Sequence, residues 1–165
     1  MESSLPKSDE KKEENKEKEE IQFKKILVPI DGSSYSMKAA KYAIEIAKLQ
    51  SAQILCIHIV AKLPYGYGFA GSSSEQYFED IKNQSLSWFN QIIKMGEDSG
   101  IKNIKTHILI NASSVADAII NYAKDNSMDL IVIGTRGRTG LERFMLGSIA
   151  NGVTMHAHCP VFLVR

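Results

Sequence analysis

Apolar and polar positions alternate along the chain between two patterns: short apolar runs, and longer stretches with apolar residues at helical spacing. The runs at residues 23–30 (FKKILVPI), 53–60 (QILCIHIV), 130–133 (LIVI) and 160–164 (PVFLV) are rich in β-branched residues and read as buried strands. Residues 105–110 alternate and supply one more strand. Between the runs lie helical patterns. Residues 35–49 turn Met37, Ala40, Ile44 and Ala47 inward, and residues 75–96 carry a stripe of Phe78, Ile81, Leu86, Phe89, Ile92 and Ile93. A third helix opens on Ser114 and Asp117 as a weak capping pair, with Val115, Ile119 and Tyr122 inward. A short fourth helix covers 149–156, with Ser148 among its first residues.

The alternation β-α-β-α-β-α-β-α-β predicts an α/β fold: an open five-stranded parallel sheet, Rossmann-like, with helices on both faces. The natural strand order is 3-2-1-4-5, which sets strands one and four side by side at a switch point. Ligands of open α/β sheets bind there, outside the strands' carboxyl ends. Two segments occupy that position, Asp31 with its turn and the glycine-rich turn that begins at Gly134.

Residues 134–148 read GTRGRTGLERFMLGS. Gly134 and Gly137 bracket a tight turn directly after a buried strand, where backbone N–H groups can approach an anion closely. Gly147 and Ser148 then open a helix whose amino terminus adds donors and a favourable dipole. Arg136, Arg138 and Arg143 bring positive charge. These features together form a candidate phosphate cradle, with Ile133 and Ile149 as its flanking apolar residues. The spacing Gly134-x2-Gly137-x9-Gly147-Ser148 resembles the G-2x-G-9x-G-[ST] nucleotide motif of the universal stress protein family, in its ATP-binding branch, without insertion. The resemblance runs from Phe23 to Arg165 and implies ATP as ligand, with Mg²⁺ or Mn²⁺ held through the phosphates.

It also bears on the other strands. Pro29 near the end of strand one is unusual, since proline removes a ladder donor. Family members commonly end this strand with Pro-x-Asp against the adenosine, here Pro29-Ile30-Asp31. On its own, Asp31 is equally a turn residue. Ile59 matches the position where the family packs an apolar side chain on the adenine. The family commonly pairs into homodimers through its last strand, here Val161–Val164, an apolar edge without the charges or prolines that blunt edges.

Composition narrows the remaining possibilities. A length of 165 residues suits one domain, and no apolar run approaches a membrane span. Residues 1–22 are nearly devoid of apolar side chains and mix Lys with an excess of Glu, predicting a disordered charged tail ahead of a nucleotide-binding domain at 23–165. That tail resembles neither a signal peptide nor a transit peptide. The net charge of +1 and the scatter of basic residues argue against nucleic-acid binding. Cys56 and Cys159 are expected on opposite sides of the sheet, unbridged, which fits a cytoplasmic protein. His58 reads as a strand-face histidine, and His156-x-His158-Cys159 lacks the spacing of a metal site. Gly66-x-Gly68-x-x-Gly71 is a literal dinucleotide fingerprint in the wrong place, several residues past its strand and without the ribose-binding carboxylate. The loop at 61–74 reads instead as a lid or a partner-binding loop, with Tyr65, Tyr67 and Phe69 as contacts.

No P-loop, nucleophile elbow, zincin or C-x-x-C motif occurs. The expectation is a small stress-response or signalling protein that holds ATP and passes its state to a protein partner. Two further readings remain open: a slow ATPase or nucleotidyl transferase, and an interaction module that uses another adenine nucleotide. Glu142 is the sole carboxylate between Gly137 and Gly147, and the resemblance places Asp31 at the adenosine end. Hydrolysis is therefore expected to be slow or absent.

Overall fold

The computed structural model describes residues 21–61, 74–137 and 145–165. The chain runs β1 (Lys25–Pro29), α1 (Ser34–Gln50), β2 (Gln53–Ala61), α2 (Ser74–Asp98) and β3 (Ile104–Ala112). It continues through α3 (Val115–Asp125), β4 (Leu130–Gly134), α4 (Ser148–His156) and β5 (Val161–Val164). The strands form one five-stranded sheet in the order β3-β2-β1-β4-β5, with every neighbouring pair parallel. This is the predicted architecture.

The period of two in β1 and β4 divides the interior into two layers. Ile26 and Val28 of β1, with Leu130 and Val132 of β4, face a core shared with Ala39, Ala40, Ala43 and Ile44 of α1 and with Phe89 and Ile92 of α2. Leu27, Ile131 and Ile133 face the other way, onto Ile119 and Ala123 of α3 and Ala150 and Val153 of α4. Ile26, Leu27, Val28, Ile131 and Val132 have no solvent exposure. Each such side chain contributes roughly 1.5–3 kcal/mol relative to exposure. The two cysteines are free and fall in different layers, Cys56 in the first and Cys159 against the second. Burial pushes the Cys56 thiol up to about 12, so it remains a thiol at neutral pH.

The structure corrects several expectations. Phe23 and Lys24 precede β1 and are not part of it: the Phe23 amide donates to Gln50 Oε1 at 3.2 Å, and the Lys24 and Lys25 amides both donate to Asp129 Oδ2 at 2.8 Å. In α2, Leu86 does not join the buried stripe; it is 42% exposed. Ser85 takes the inward position because its hydroxyl donates to the Ile81 carbonyl at 2.7 Å, which satisfies the polar group within its own helix. Ser114 caps α3, accepting from the Asp117 amide at 3.2 Å. The charged tail at 1–20, the residues at 62–73 with Tyr65, Tyr67 and Phe69, and the segment 138–144 with Arg138, Glu142 and Arg143 lie outside the described residues.

Candidate nucleotide-binding cleft

At the switch point, β1 gives way to a turn held by its own side chains. Asp31 Oδ1 accepts from the Ser33 amide at 3.0 Å and from the Ser33 hydroxyl at 2.6 Å. Ser33 is the N-cap of α1, its oxygen accepting from the Ser36 amide at 3.1 Å. The buried Ser36 hydroxyl donates to the Ser33 carbonyl at 3.0 Å and receives the Asp31 amide at 3.4 Å. Gly32 stands at φ +77°, and a methyl group there would overlap the Trp88 indole. Asp31 is therefore both the turn residue and a wall of the cleft, and the two readings of it do not compete.

Opposite, β4 runs into Gly134 and Thr135. The Thr135 amide donates to the Val164 carbonyl at 2.8 Å, and the Gly147 amide donates to the Thr135 carbonyl at 2.8 Å. The second bond draws the start of α4 back onto the strand that precedes it. Gly147 is the N-cap of α4 and supplies no side-chain hydrogen bond. In this it differs from Ser33 and Ser114, which cap α1 and α3 with their hydroxyls. The first amides of α4 thus keep their donor capacity for an anion.

The glycines serve distinct purposes. A Cβ on Gly134 would come within 2.8 Å of Tyr35 backbone, so this glycine lets α1 pack against β4. A Cβ on Gly137 would lie 2.8 Å from Asp31 Oδ2, on the cleft side. One on Gly147 would lie 3.1 Å from the Thr135 carbonyl oxygen. Arg136 is held beside α1: Nη1 donates to the Tyr35 hydroxyl at 3.2 Å, and the guanidinium carbon lies 5.6 Å from the centre of that ring.

These elements enclose a cleft of about 480 Å³. Pro29, Asp31, Ile59, Ile133, Gly134, Arg136, Gly137, Gly147, Ser148 and Ile149 all line it, so every site residue expected from the sequence and described here is gathered in one place. Arg138 lies outside the described residues. Ile57, Ile59, Ile119 and Ile133 give the cleft an apolar wall, and Asp31, Thr135 and the α4 terminus give it a polar one. Sequence reasoning missed much of the lining, including Ser36, Ile57, His58, Tyr77, Gln84 and Thr135. Ser36 was within reach, since it stands three residues after a capping serine; Tyr77, Ile81 and Gln84 arrive by long-range packing of α2 and leave no local signal. Among the described residues no group of three or more His, Cys, Asp or Glu is placed to hold a metal ion. Among them, too, no helix is long and apolar enough to cross a membrane.

An open doubly wound sheet with a ligand-sized cleft at its switch point defines the class: an α/β protein of the architecture whose ligand sites lie at the strands' carboxyl ends. The universal stress protein family model matches residues 22–165, and the chain belongs to that family. A universal stress protein of Methanocaldococcus jannaschii is 41% identical over 143 residues, covering 87% of this chain and 82% of that protein. Among solved structures, the universal stress protein UspA from Lactobacillus plantarum superposes with a TM-score of 0.76 at 24% identity, over 88% of this chain and 100% of that one. The universal stress protein from Archaeoglobus fulgidus, in complex with dAMP, superposes with a TM-score of 0.61 at 25% identity, over 88% of this chain and 100% of that one.

Proposed function

We propose that this protein holds ATP in the switch-point cleft as a small stress-response or signalling switch, with Mg²⁺ or Mn²⁺ carried by the phosphates. The observation that carries this reading is the convergence on one cleft of an apolar wall, Asp31, and a helix amino terminus whose N-cap is a glycine. The apolar wall suits a planar adenine. Gly137, Gly147 and the first amides of α4 suit phosphate oxygens, which accept hydrogen bonds and carry negative charge. The dAMP carried by the Archaeoglobus relative supports an adenine nucleotide as the ligand class. The charged tail at 1–22, the domain at 23–165 and a cytoplasmic location belong to the same proposal. Mass spectrometry of ligand released from the purified protein, followed by calorimetry with ATP and Mg²⁺, tests it. Release of an adenine nucleotide and saturable ATP binding support the reading, and failure to bind any adenine nucleotide ends it.

A slow ATPase or nucleotidyl transferase is the competing reading. Among the described residues lining the cleft, Asp31 is the sole carboxylate, and its Oδ1 is engaged by Ser33. Water attack on a phosphoryl group needs a residue that positions the nucleophile. Turnover of ATP is therefore expected well below the roughly 1–10³ s⁻¹ of typical enzymes. Single-turnover assays with labelled ATP measure it directly, and several turnovers per second would establish the enzyme.

The proposal extends to a homodimer through β5. Phe162 and Leu163 on this edge strand are exposed, and Tyr42 of α1 stands beside Phe162 with ring centres 5.9 Å apart. Val161 is half-buried against the second core layer, so the informative substitutions are Phe162→Lys and Leu163→Lys together. The double variant is expected to elute as a monomer of unchanged helix content where the wild type is a dimer. Light scattering at micromolar concentration checks both, and a monomeric wild type removes the dimer from the proposal.

A further inference from the structure

We propose that His58 is a positioning residue for the ligand, clamping the peptide group that aims Asp31 into the cleft. The inference rests on the nucleotide reading of that cleft. The β1–β2 ladder ends at the pair Pro29 and Ile57, and the β1–β4 pairing ends earlier, at Leu27 and Ile131. Ile30 has left the strand, yet it is buried, so its backbone polar groups need partners. Its amide donates to the Ile57 carbonyl at 2.7 Å. Its carbonyl meets His58 Nδ1 at 2.6 Å. A carbonyl only accepts, so Nδ1 carries the proton and donates. The His58 side chain thus replaces a strand partner where the ladder has run out.

The carbonyl of Ile30 and the amide of Asp31 belong to one planar peptide group. His58 holds the first, and the Ser36 hydroxyl holds the second at 3.4 Å. A plane gripped at both ends fixes the direction in which the Asp31 side chain leaves the backbone. Seryl contacts then fix the carboxylate itself through Oδ1, with Oδ2 on the Gly137 side. The His58 ring is set in turn by Trp88, edge to face at 5.3 Å between ring centres and 81° between planes. The same Trp88 covers Gly32, the residue after Asp31. Residues 30–32 are therefore held by β2 and α2, elements that make no part of the glycine motif.

The test uses His58→Asn and His58→Gln in the full-length chain, with ATP and adenosine titrated by calorimetry. The Asn amide falls near the place of Nδ1 and can still donate to the Ile30 carbonyl; the Gln amide reaches toward the place of Nε2. His58→Asn is expected to keep affinity for both ligands within about threefold, and His58→Gln to lose about tenfold for both, the effect of one buried hydrogen bond. In an Asp31→Ala background His58→Gln is expected to cost nothing further, since the residue it positions is gone. The reverse order, Gln better than Asn, would show that His58 touches the ligand itself and would overturn the proposal. An equal loss with and without Asp31, or no loss at all, overturns it as well. Should either variant fail to fold, the side-chain ¹⁵N spectrum of the wild type decides: a proton on Nδ1 is expected, and one on Nε2 alone removes the clamp. A wild type that binds neither ligand ends the nucleotide reading and this inference with it, whereas binding that is insensitive to the substitutions ends only this inference.

Discussion

Replacing Gly137 with valine is expected to abolish ATP binding while the fold persists. Gly137 is not among the residues at positive φ, so its backbone accepts a side chain without strain. The nearest atom to an added Cβ is Asp31 Oδ2 at 2.8 Å, the far end of a side chain and part of the cleft wall. A valine there pushes the carboxylate aside and takes up cleft space beside Asp31. Together these are expected to weaken ATP by roughly 100-fold or more, about 2.8 kcal/mol. Calorimetry reads the affinity, and a thermal melt near that of the wild type confirms the fold. Retained affinity would move the phosphates away from this turn. Gly134→Ala makes the contrasting control: its Cβ meets the backbone of Tyr35, which cannot swing away, so stability falls before binding does.

Gly32→Ala is expected to cost the fold about 3 kcal/mol, a large share of the roughly 5–15 kcal/mol that a domain has. Two effects add at this position. The left-handed φ of +77° costs an alanine about 1–2 kcal/mol. The methyl group must also displace the Trp88 indole, an overpacking cost of about 1–3 kcal/mol. Gly100 separates the two, because its φ is +84° and nothing lies within 4 Å of its Cβ position. Gly100→Ala should therefore lose only the backbone part, about 1 kcal/mol. Urea denaturation of both variants gives the difference. Equal losses would mean that Trp88 yields freely and does not bear on the Asp31 turn.

Much of this molecule was legible in the chain before its structure. Strand order followed from the alternation of buried runs with helical patterns, because a parallel sheet leaves few allowed connections. The glycine motif pointed to the β4 end, and the topology pointed to the same edge for an unrelated reason. What stayed hidden was hidden for physical causes. Leu86 fits the core stripe because a hydrophobic pattern counts apolar residues, and it cannot see that Ser85 satisfies its own hydroxyl and packs inward. The contact of Trp88 with Gly32 joins residues 56 positions apart, and nothing local announces it. His58 reads as a plain strand residue because its partner is a carbonyl just past the end of β1, and no sequence spacing announces a backbone acceptor. The motif glycines also carried a mixed message: Gly134 answers to helix packing, and Gly137 to the cleft.

The division of the interior by β1 and β4 has a consequence for how the protein breathes. Ile26 and Val28 are the floor of one layer, and Leu27 between them is the floor of the other. Neither pair of helices can lift away without stripping the strand on which the opposite pair rests. Local opening is thus confined to helix ends and to the outer strands, and the amide protons of Leu27 and Ile131 are expected to exchange with solvent only when the whole molecule unfolds. Asp31 and Thr135 stand within two residues of the ends of those two strands. The turns that shape the cleft are consequently suspended from the last part of the protein to come apart, and the helix ends that complete it, residues 33–36 at α1 and 147–148 at α4, are where smaller openings are expected to reach it.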